Sequence, residues 1–181
     1  MQPAFFLDRD GVIIENRSTY VRSIADVEFL PQAIQALQRL ARTSYKIIIV
    51  TNQSVVGRGH ITLTTANEIN RFVLEHIAEH GGRIDALYLC PHSPDQGCAC
   101  RKPHPGLILQ AATDLNIDLK NSIFVGDALS DIKAGRAAGI ERVSLVRTGL
   151  GREQSNSHEA SLYQPFLVFD DLLDAVQHFL R

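Results

Sequence analysis

The 181-residue chain predicts an α/β fold of the doubly wound kind, a mostly parallel sheet with helices on both faces. Three observations lead there. Short apolar runs alternate with stretches of helical period from one end of the sequence to the other. Runs such as "KIIIV" (Lys46 to Val50) are β-branched and apolar without alternation, which suits parallel strands covered on both faces. Carboxylates, amides and hydroxyls gather just after these runs, where open α/β sheets place their ligands.

"AFFL" (Ala4 to Leu7) is the first strand, stopped by Asp8. Pro31 opens a helix with Ile34, Leu37, Leu40 and Ala41 on its inner side. "KIIIV" is the second strand. A helix from about Thr64 to His80 turns Ile69, Phe72, Val73 and Ile77 inward and ends at Gly81-Gly82. "ALYL" (Ala86 to Leu89) is the third strand. Pro105 opens a helix bearing Leu107, Ile108, Ala111, Ala112 and Leu115 on one side. "SIFVGD" (Ser122 to Asp127) is the fourth strand, and after it a short helix from Leu129 to Ala138 is stopped by Gly139. "RVSLV" (Arg142 to Val146) is the fifth strand, "RTGLGREQSNSHEAS" a polar loop, "FLVF" (Phe166 to Phe169) a sixth strand, and Leu172 to Leu180 a last helix. With no internal repeat and no long linker, residues 1–181 are expected to form one domain.

Composition narrows the function. The net charge of −2 argues against a basic face for nucleic acid. No apolar run reaches the roughly 18 residues of a membrane span, and the N-terminus lacks the pattern of a signal peptide. The three cysteines are odd in number and clustered, which points to metal ligands in a cytoplasmic protein rather than a disulfide frame.

Asp8, Asp10 and Gly11 stand just after the first strand, and Thr51, Asn52 and Gln53 just after the second. The cysteine loop with Arg101 and Lys102 comes after the third, and Gly126, Asp127 and Asp131 close the fourth. Four carboxylates on one edge repel, at roughly 4 kcal/mol for unit charges about 4 Å apart at an effective dielectric near 20. Such a set needs a cation, and hard oxygen donors with few histidines favour Mg2+. Asp8 and Asp10, two apart at a strand end, share a side. Asp127 and Asp131 share a face where a helix starts between them.

"CPHSPDQGCACRKP" (Cys90 to Pro103) holds every cysteine of the chain. Cys90, His92, Cys98 and Cys100 supply three thiolates and one imidazole, a complete tetrahedral set for structural zinc with no open position. His104 ranks second to His92, because binding through it would draw Arg101 and Lys102 toward the metal. Zinc contributes on the order of 10 kcal/mol to ordering such a site. Pinning Cys100 is expected to aim its neighbours Arg101 and Lys102 at a phosphate held with the cation at that edge.

In order, "FFLDRDG", "IIIVTNQ", "CRKP" and "FVGDALSDIKAG" resemble the four motifs of the haloacid dehalogenase-like phosphatases. The resemblance implies a Rossmann-like core and a two-step hydrolysis of a phosphate ester. Asp8 is then the nucleophile that forms an aspartyl-phosphate, and Asp10 the general acid and later base. Thr51 and Lys102 bind the transferring phosphoryl group. Asp8, the Asp10 carbonyl and Asp127 hold Mg2+, with Asp131 supporting that site or its waters.

"CPHSPDQGCACRKPHPG", "TNQSVVGRGH" and "YVRSIADVEFLP" narrow the resemblance to the zinc-loop subgroup that acts on heptose 1,7-bisphosphate at its 7-phosphate and on histidinol phosphate. Members lack a large cap domain, and the short connections here agree. Loops around Tyr20 and Arg58 then shape the entrance, with Arg58 a candidate contact for a second phosphate or a sugar hydroxyl. Val55 stands where the heptose enzymes usually carry Gly, a departure expected to reshape the sugar pocket. The expected activity is that of a monomeric phosphatase for a phosphorylated sugar, heptose 1,7-bisphosphate ahead of histidinol phosphate. A non-catalytic binding module on the same scaffold is the contrasting reading, and the intact Asp8, Asp10, Lys102 and Asp127 argue against it.

Overall fold

Phe5 and Leu7 face one side of the central strand while Ala4 and Phe6 face the other, and this alternation organises the molecule. The computed structural model describes residues 1–181. Six strands, β1 (Ala4–Leu7), β2 (Lys46–Asn52), β3 (Ala86–Cys90), β4 (Ile123–Gly126), β5 (Arg142–Val146) and β6 (Leu167–Phe169), form one sheet. Their order is β3-β2-β1-β4-β5-β6, and every neighbouring pair is parallel. The helices are α1 (Ala33–Ala41), α2 (Ser54–Gly57), α3 (Leu63–Glu79), α4 (Gly106–Leu115), α5 (Leu129–Ala137), α6 (Gly151–Ser155), α7 (His158–Ser161) and α8 (Leu172–Phe179).

Phe5, Leu7, Ile47, Ile49, Ile123 and Val125 pack against α1, α3 and α8 on one face. Phe6, Ile48, Val50 and Phe124 pack against α4 and α5 on the other. Each such side chain, fully removed from water, contributes about 1.5–3 kcal/mol, which is why the stretches 4–7, 47–50 and 123–125 carry no polar residue. The doubly wound α/β fold expected from the sequence is the one observed, without a large cap. Between β1 and α1 the chain forms only a one-turn 3-10 helix (Ile24–Asp26) and isolated bridges, including Ile14 to Phe29. No helix is long and apolar enough to cross a membrane.

The differences from expectation are local. Helix α1 starts at Ala33 rather than Pro31, because the Ala33 N–H donates to the Leu30 carbonyl and Gln32 turns left-handed at φ 69°. Its buried stripe is Ala33, Ala36, Leu37 and Leu40, so Ile34 and Ala41 sit at its margins. Phe72, expected inward on α3, is likewise only half-buried. Strand β2 runs on through Thr51 and Asn52, which pair with Leu89 and Cys90. The polar stretch after β5 holds α6 and α7. The Ser157 hydroxyl accepts from the Ala160 N–H to start α7. Such one-turn helices rest on caps and contacts rather than on apolar period.

Candidate active site

Register decides what meets at the carboxyl edge. Leu7 lies opposite both Ile49 and Val125, so Asp8, Thr51 and Asp127 leave three adjacent strands within two residues of one level. Carboxylate oxygens of Asp8, Asp127 and Asp131 all lie within 4.8 Å of one another. Lys102 Nζ stands among them, 3.0 Å from Asp8 Oδ2 and 2.7 Å from Asp131 Oδ1, and it donates to the Val50 carbonyl at 2.8 Å. Lys102, Asp127, Asp131 and Thr51 are buried.

The electrostatics are those of a site short of positive charge. Burial pushes Asp8 up to about 7; Lys102 opposes this, and Asp131 and Asp10 add to it. Burial, joined by Asp8 and Asp131, raises Asp127 well above the usual carboxylate range, against the Leu150 N–H and Lys102. For Lys102, burial favours the neutral amine, but Asp131 and Asp8 outweigh it and hold the ammonium charged. One lysine does not neutralise this set. A divalent cation on hard oxygen donors does, and it reverses the upward pressure on Asp8 and Asp127. The surroundings fit one. A Cβ on Gly11 (φ +83°) or Gly149 (φ +56°) would overlap Asp127 Oδ2, so two left-handed glycines leave the room that this carboxylate occupies. Leu150 N–H fixes Asp127 Oδ2 at 2.8 Å.

Asp131 faces inward, but its oxygens are engaged by protein. Oδ1 meets Lys102, and Oδ2 accepts from the N–H groups of Asp127 (3.2 Å) and Ala128 (3.0 Å) at the start of α5. Asp10 accepts from Gln53 Nε2 at 2.8 Å, and the same nitrogen donates to Thr51 Oγ1 at 2.8 Å. Asn52 clasps the main chain of Lys102: its Oδ1 accepts from Lys102 N–H and its Nδ2 donates to Lys102 C=O, both at 3.1 Å.

The cysteine loop closes as a cluster. Cys100 Sγ lies 3.2 Å from Cys90 Sγ and 3.4 Å from Cys98 Sγ, Cys90 lies 3.6 Å from Cys98, and His92 Nδ1 is 3.3 Å from Cys100 and 3.5 Å from Cys90. No disulfide is formed. Four donors at tetrahedral corners around zinc, with Zn–S near 2.3 Å, stand about 3.8 Å apart, so the set fits zinc with slight expansion. Burial, aided by the Cys100 thiol, pushes Cys90 up to about 12. Burial works the same way on Cys98, but hydrogen bonds from the Cys100 thiol and the Arg101 N–H bring it down to about 7. His104 is not part of the cluster.

Several expectations need correction. Lys102 alone of the Arg101-Lys102 pair meets the carboxylates; the Arg101 guanidinium donates to the His92 carbonyl at 3.3 Å and lines a depression beside the cysteine loop. The two side chains that follow Cys100 thus turn to different sides. Arg58 is exposed, near Asp95, and does not line the cavity over Asp8. Val55 is buried, and its neighbour Ser54 lines that cavity instead, so the residue replacing Gly packs away from the pocket. The arginine that does line it is Arg17, beside Asn16 and Tyr20. Sequence reading named Tyr20 but missed Arg17 and Asn16, which sit in a segment with no periodicity. It also missed Thr148 and Leu150, although "TG" one residue past a strand is the kind of turn that can back a ligand. Thr148 Oγ1 donates to the Gly11 carbonyl at 2.6 Å, tying that turn to the one that follows β1.

A parallel sheet with converging carboxylates, a buried lysine and a cation cradle at its carboxyl edge defines a haloacid dehalogenase-like hydrolase. The HAD-hydrolase-like family model matches residues 99–175. The D-glycero-beta-D-manno-heptose-1,7-bisphosphate 7-phosphatase of Bordetella bronchiseptica is 40% identical over 97% of this chain and 96% of its own. That of Pseudomonas aeruginosa is 37% identical over 92% of this chain and 91% of its own. The crystal structure of the B. bronchiseptica D,D-heptose 1,7-bisphosphate phosphatase, complexed with magnesium and phosphate, superposes with a TM-score of 0.90 at 36% identity, covering 99% of this chain and 98% of that one. The chain belongs to the D-glycero-beta-D-manno-heptose-1,7-bisphosphate 7-phosphatase family.

Proposed function

We propose that this chain is a Mg2+-dependent phosphomonoesterase that removes the 7-phosphate of D-glycero-D-manno-heptose 1,7-bisphosphate, taking the β-anomer named for its relatives. The observation that carries the reading is Lys102 Nζ at 3.0 Å from Asp8 Oδ2, with the Asp127 carboxylate beside them at the edge of β1 and β4. Asp8 attacks phosphorus. Its new O–P bond replaces the bond to the heptose oxygen, and Asp10 gives that oxygen a proton. Water then attacks the aspartyl-phosphate and passes its proton to Asp10, and the bond to Asp8 breaks to release inorganic phosphate. The Thr51 hydroxyl, already accepting from Gln53, has its proton free for a phosphoryl oxygen. Lys102 neutralises charge on that group.

Asp8, the Asp10 carbonyl and Asp127 would hold Mg2+, which when bound screens the carboxylates and polarises the phosphoryl oxygens. Asp131 serves the site through Lys102. Cys90, His92, Cys98 and Cys100 would hold zinc structurally. Asn52 and Gln53 act on the phosphate indirectly, by holding Lys102, Asp10 and Thr51. One chain supplies the whole set, which suits a monomer, and unpaired thiols suit the cytoplasm.

Phosphate release from both anomers of heptose bisphosphate and from histidinol phosphate, with and without Mg2+, tests this. The expected result is Mg2+-dependent release from the β-anomer, leaving heptose 1-phosphate, and none from Asp8→Asn. Preference for histidinol phosphate, or turnover by Asp8→Asn with no deamidation by mass, would overturn it.

A further inference from the structure

Arg9 lies between the two carboxylates of "DRDG", yet it is 1% exposed and the largest fully buried side chain of the fold. The chain bends at Arg9 just past β1, and the Arg9 side chain leaves the pocket side and enters the interior beside α3. There its Nη1 donates to Asn70 Oδ1 at 2.5 Å. Asn70 is itself 4% exposed, on the same inward stripe as Ala66, Ile69, Val73 and Ile77. The other side of the guanidinium returns to Asp10: Nη2 lies 3.0 Å from Oδ1 and 2.9 Å from Oδ2, and Nε lies 3.2 Å from Oδ2.

Burying a guanidinium and an amide among aliphatic side chains is unfavourable unless each is paired, and a hydrophobic pair of similar volume is often as stable or more so. Packing alone does not account for them. What they do accomplish is to hold Asp10 from behind by a rigid fork. Oδ2 of Asp10 receives Nε, Nη2 and Gln53 Nε2, whereas Oδ1 receives Nη2 alone. Asp10 lines the cavity over Asp8. We propose that Arg9, anchored by Asn70, is a positioning residue that saturates Asp10 Oδ2 and leaves Oδ1 as the oxygen that exchanges its proton with the substrate. The proposal rests on Asp10 being the general acid.

Positioning of a general acid matters in proportion to how much the leaving group needs a proton. The alkoxide of a sugar needs one; an activated aryl oxide such as p-nitrophenolate does not. The quantity to compare is kcat/KM, which reports the steps through transfer to Asp8, for heptose bisphosphate and for p-nitrophenyl phosphate. Asn70→Leu removes the anchoring oxygen without touching the pocket. It is expected to lower kcat/KM for the sugar phosphate about 10-fold or more and for the aryl phosphate by less than about 2-fold. Asn70→Asp keeps the oxygen and restores the wild-type ratio. Arg9→Lys, which retains a cation but not the fork, gives the same selective loss and serves if Asn70→Leu does not fold. Equal losses on both substrates, or none on either, overturn the proposal. Asp10→Ala, measured in parallel, separates the two layers: if its own loss is equal on both substrates, the general-acid reading fails, and the positioning role with it.

Discussion

Lys102 stands closer to Asp131 (2.7 Å) than to Asp8 (3.0 Å), and all three side chains are largely shut from water. The ammonium is therefore shared between a carboxylate at the end of β1 and one that starts α5. Asp131 joins the placing of that charge to the start of a helix, because its second oxygen accepts the N–H groups of Asp127 and Ala128.

Asp131→Ala removes one counter-ion of a buried lysine and the acceptor at the start of α5. It is expected to destabilise the fold by about 3–5 kcal/mol, as broken buried pairs do. Asp131→Asn keeps an oxygen for the two amides and should lose less. Urea unfolding of both variants at neutral pH checks the order. In Lys102→Met the charge itself is gone, and kcat/KM is expected to fall by about 100- to 1000-fold.

Chelation of zinc, or Cys98→Ser, should loosen Lys102 without releasing it, because the Asn52 clasp remains. The activity loss is then about 10- to 100-fold, as for a displaced catalytic group, and smaller than for Lys102→Met. Metal analysis of protein purified without chelator should find about one zinc per chain. Finding none would remove the structural role of the loop.

Gly149→Ala places a methyl group against Asp127 Oδ2 and the Gly11 backbone, at a φ of +56° that L-residues rarely adopt. Backbone on one side and a carboxylate on the other cannot both give way. Mg2+ affinity, measured by calorimetry on metal-free protein, should weaken by about 10-fold or more, since about 1.4 kcal/mol of misplacement suffices. Unchanged affinity would show that this turn does not hold the ligand.

The pH dependence of the metal-free protein has a definite sign. Asp8 is raised from 3.8 to about 7 by burial. Between those values the folded protein keeps a proton that the unfolded chain has lost, so stability falls as pH rises. The Asp8 contribution is full below 3.8 and is lost through about 7. Thermal unfolding of protein dialysed free of Mg2+ without chelator should show Tm decreasing across this window, and added Mg2+ should raise Tm more at the upper end than at the lower.

Much of the fold and site was legible in the order of residues. The strand runs were visible because a strand covered on both faces is built mainly of apolar residues. Asp8, Thr51, Lys102 and Asp127 were visible because they stand at strand ends or beside a metal-loop cysteine. Asn70 left a trace, a polar residue three before Val73 on an inward stripe, but a stripe does not say what an amide would meet there. Helices α6 and α7 left almost none, since caps rather than period make them.

Local order therefore came from the sequence alone: the alternation of elements, the motif residues, and the cysteine-histidine cluster, all set by periods and spacings within a few positions. Contacts between distant segments were decided only by tertiary structure. Arg9 turns inward because α3 supplies Asn70; Arg101 turns aside because the His92 carbonyl accepts it; Asp131 serves a lysine as well as its own helix. A buried polar group must find a partner, and which partner lies within about 3 Å depends on how sheet and helices pack, not on the order of residues along the chain.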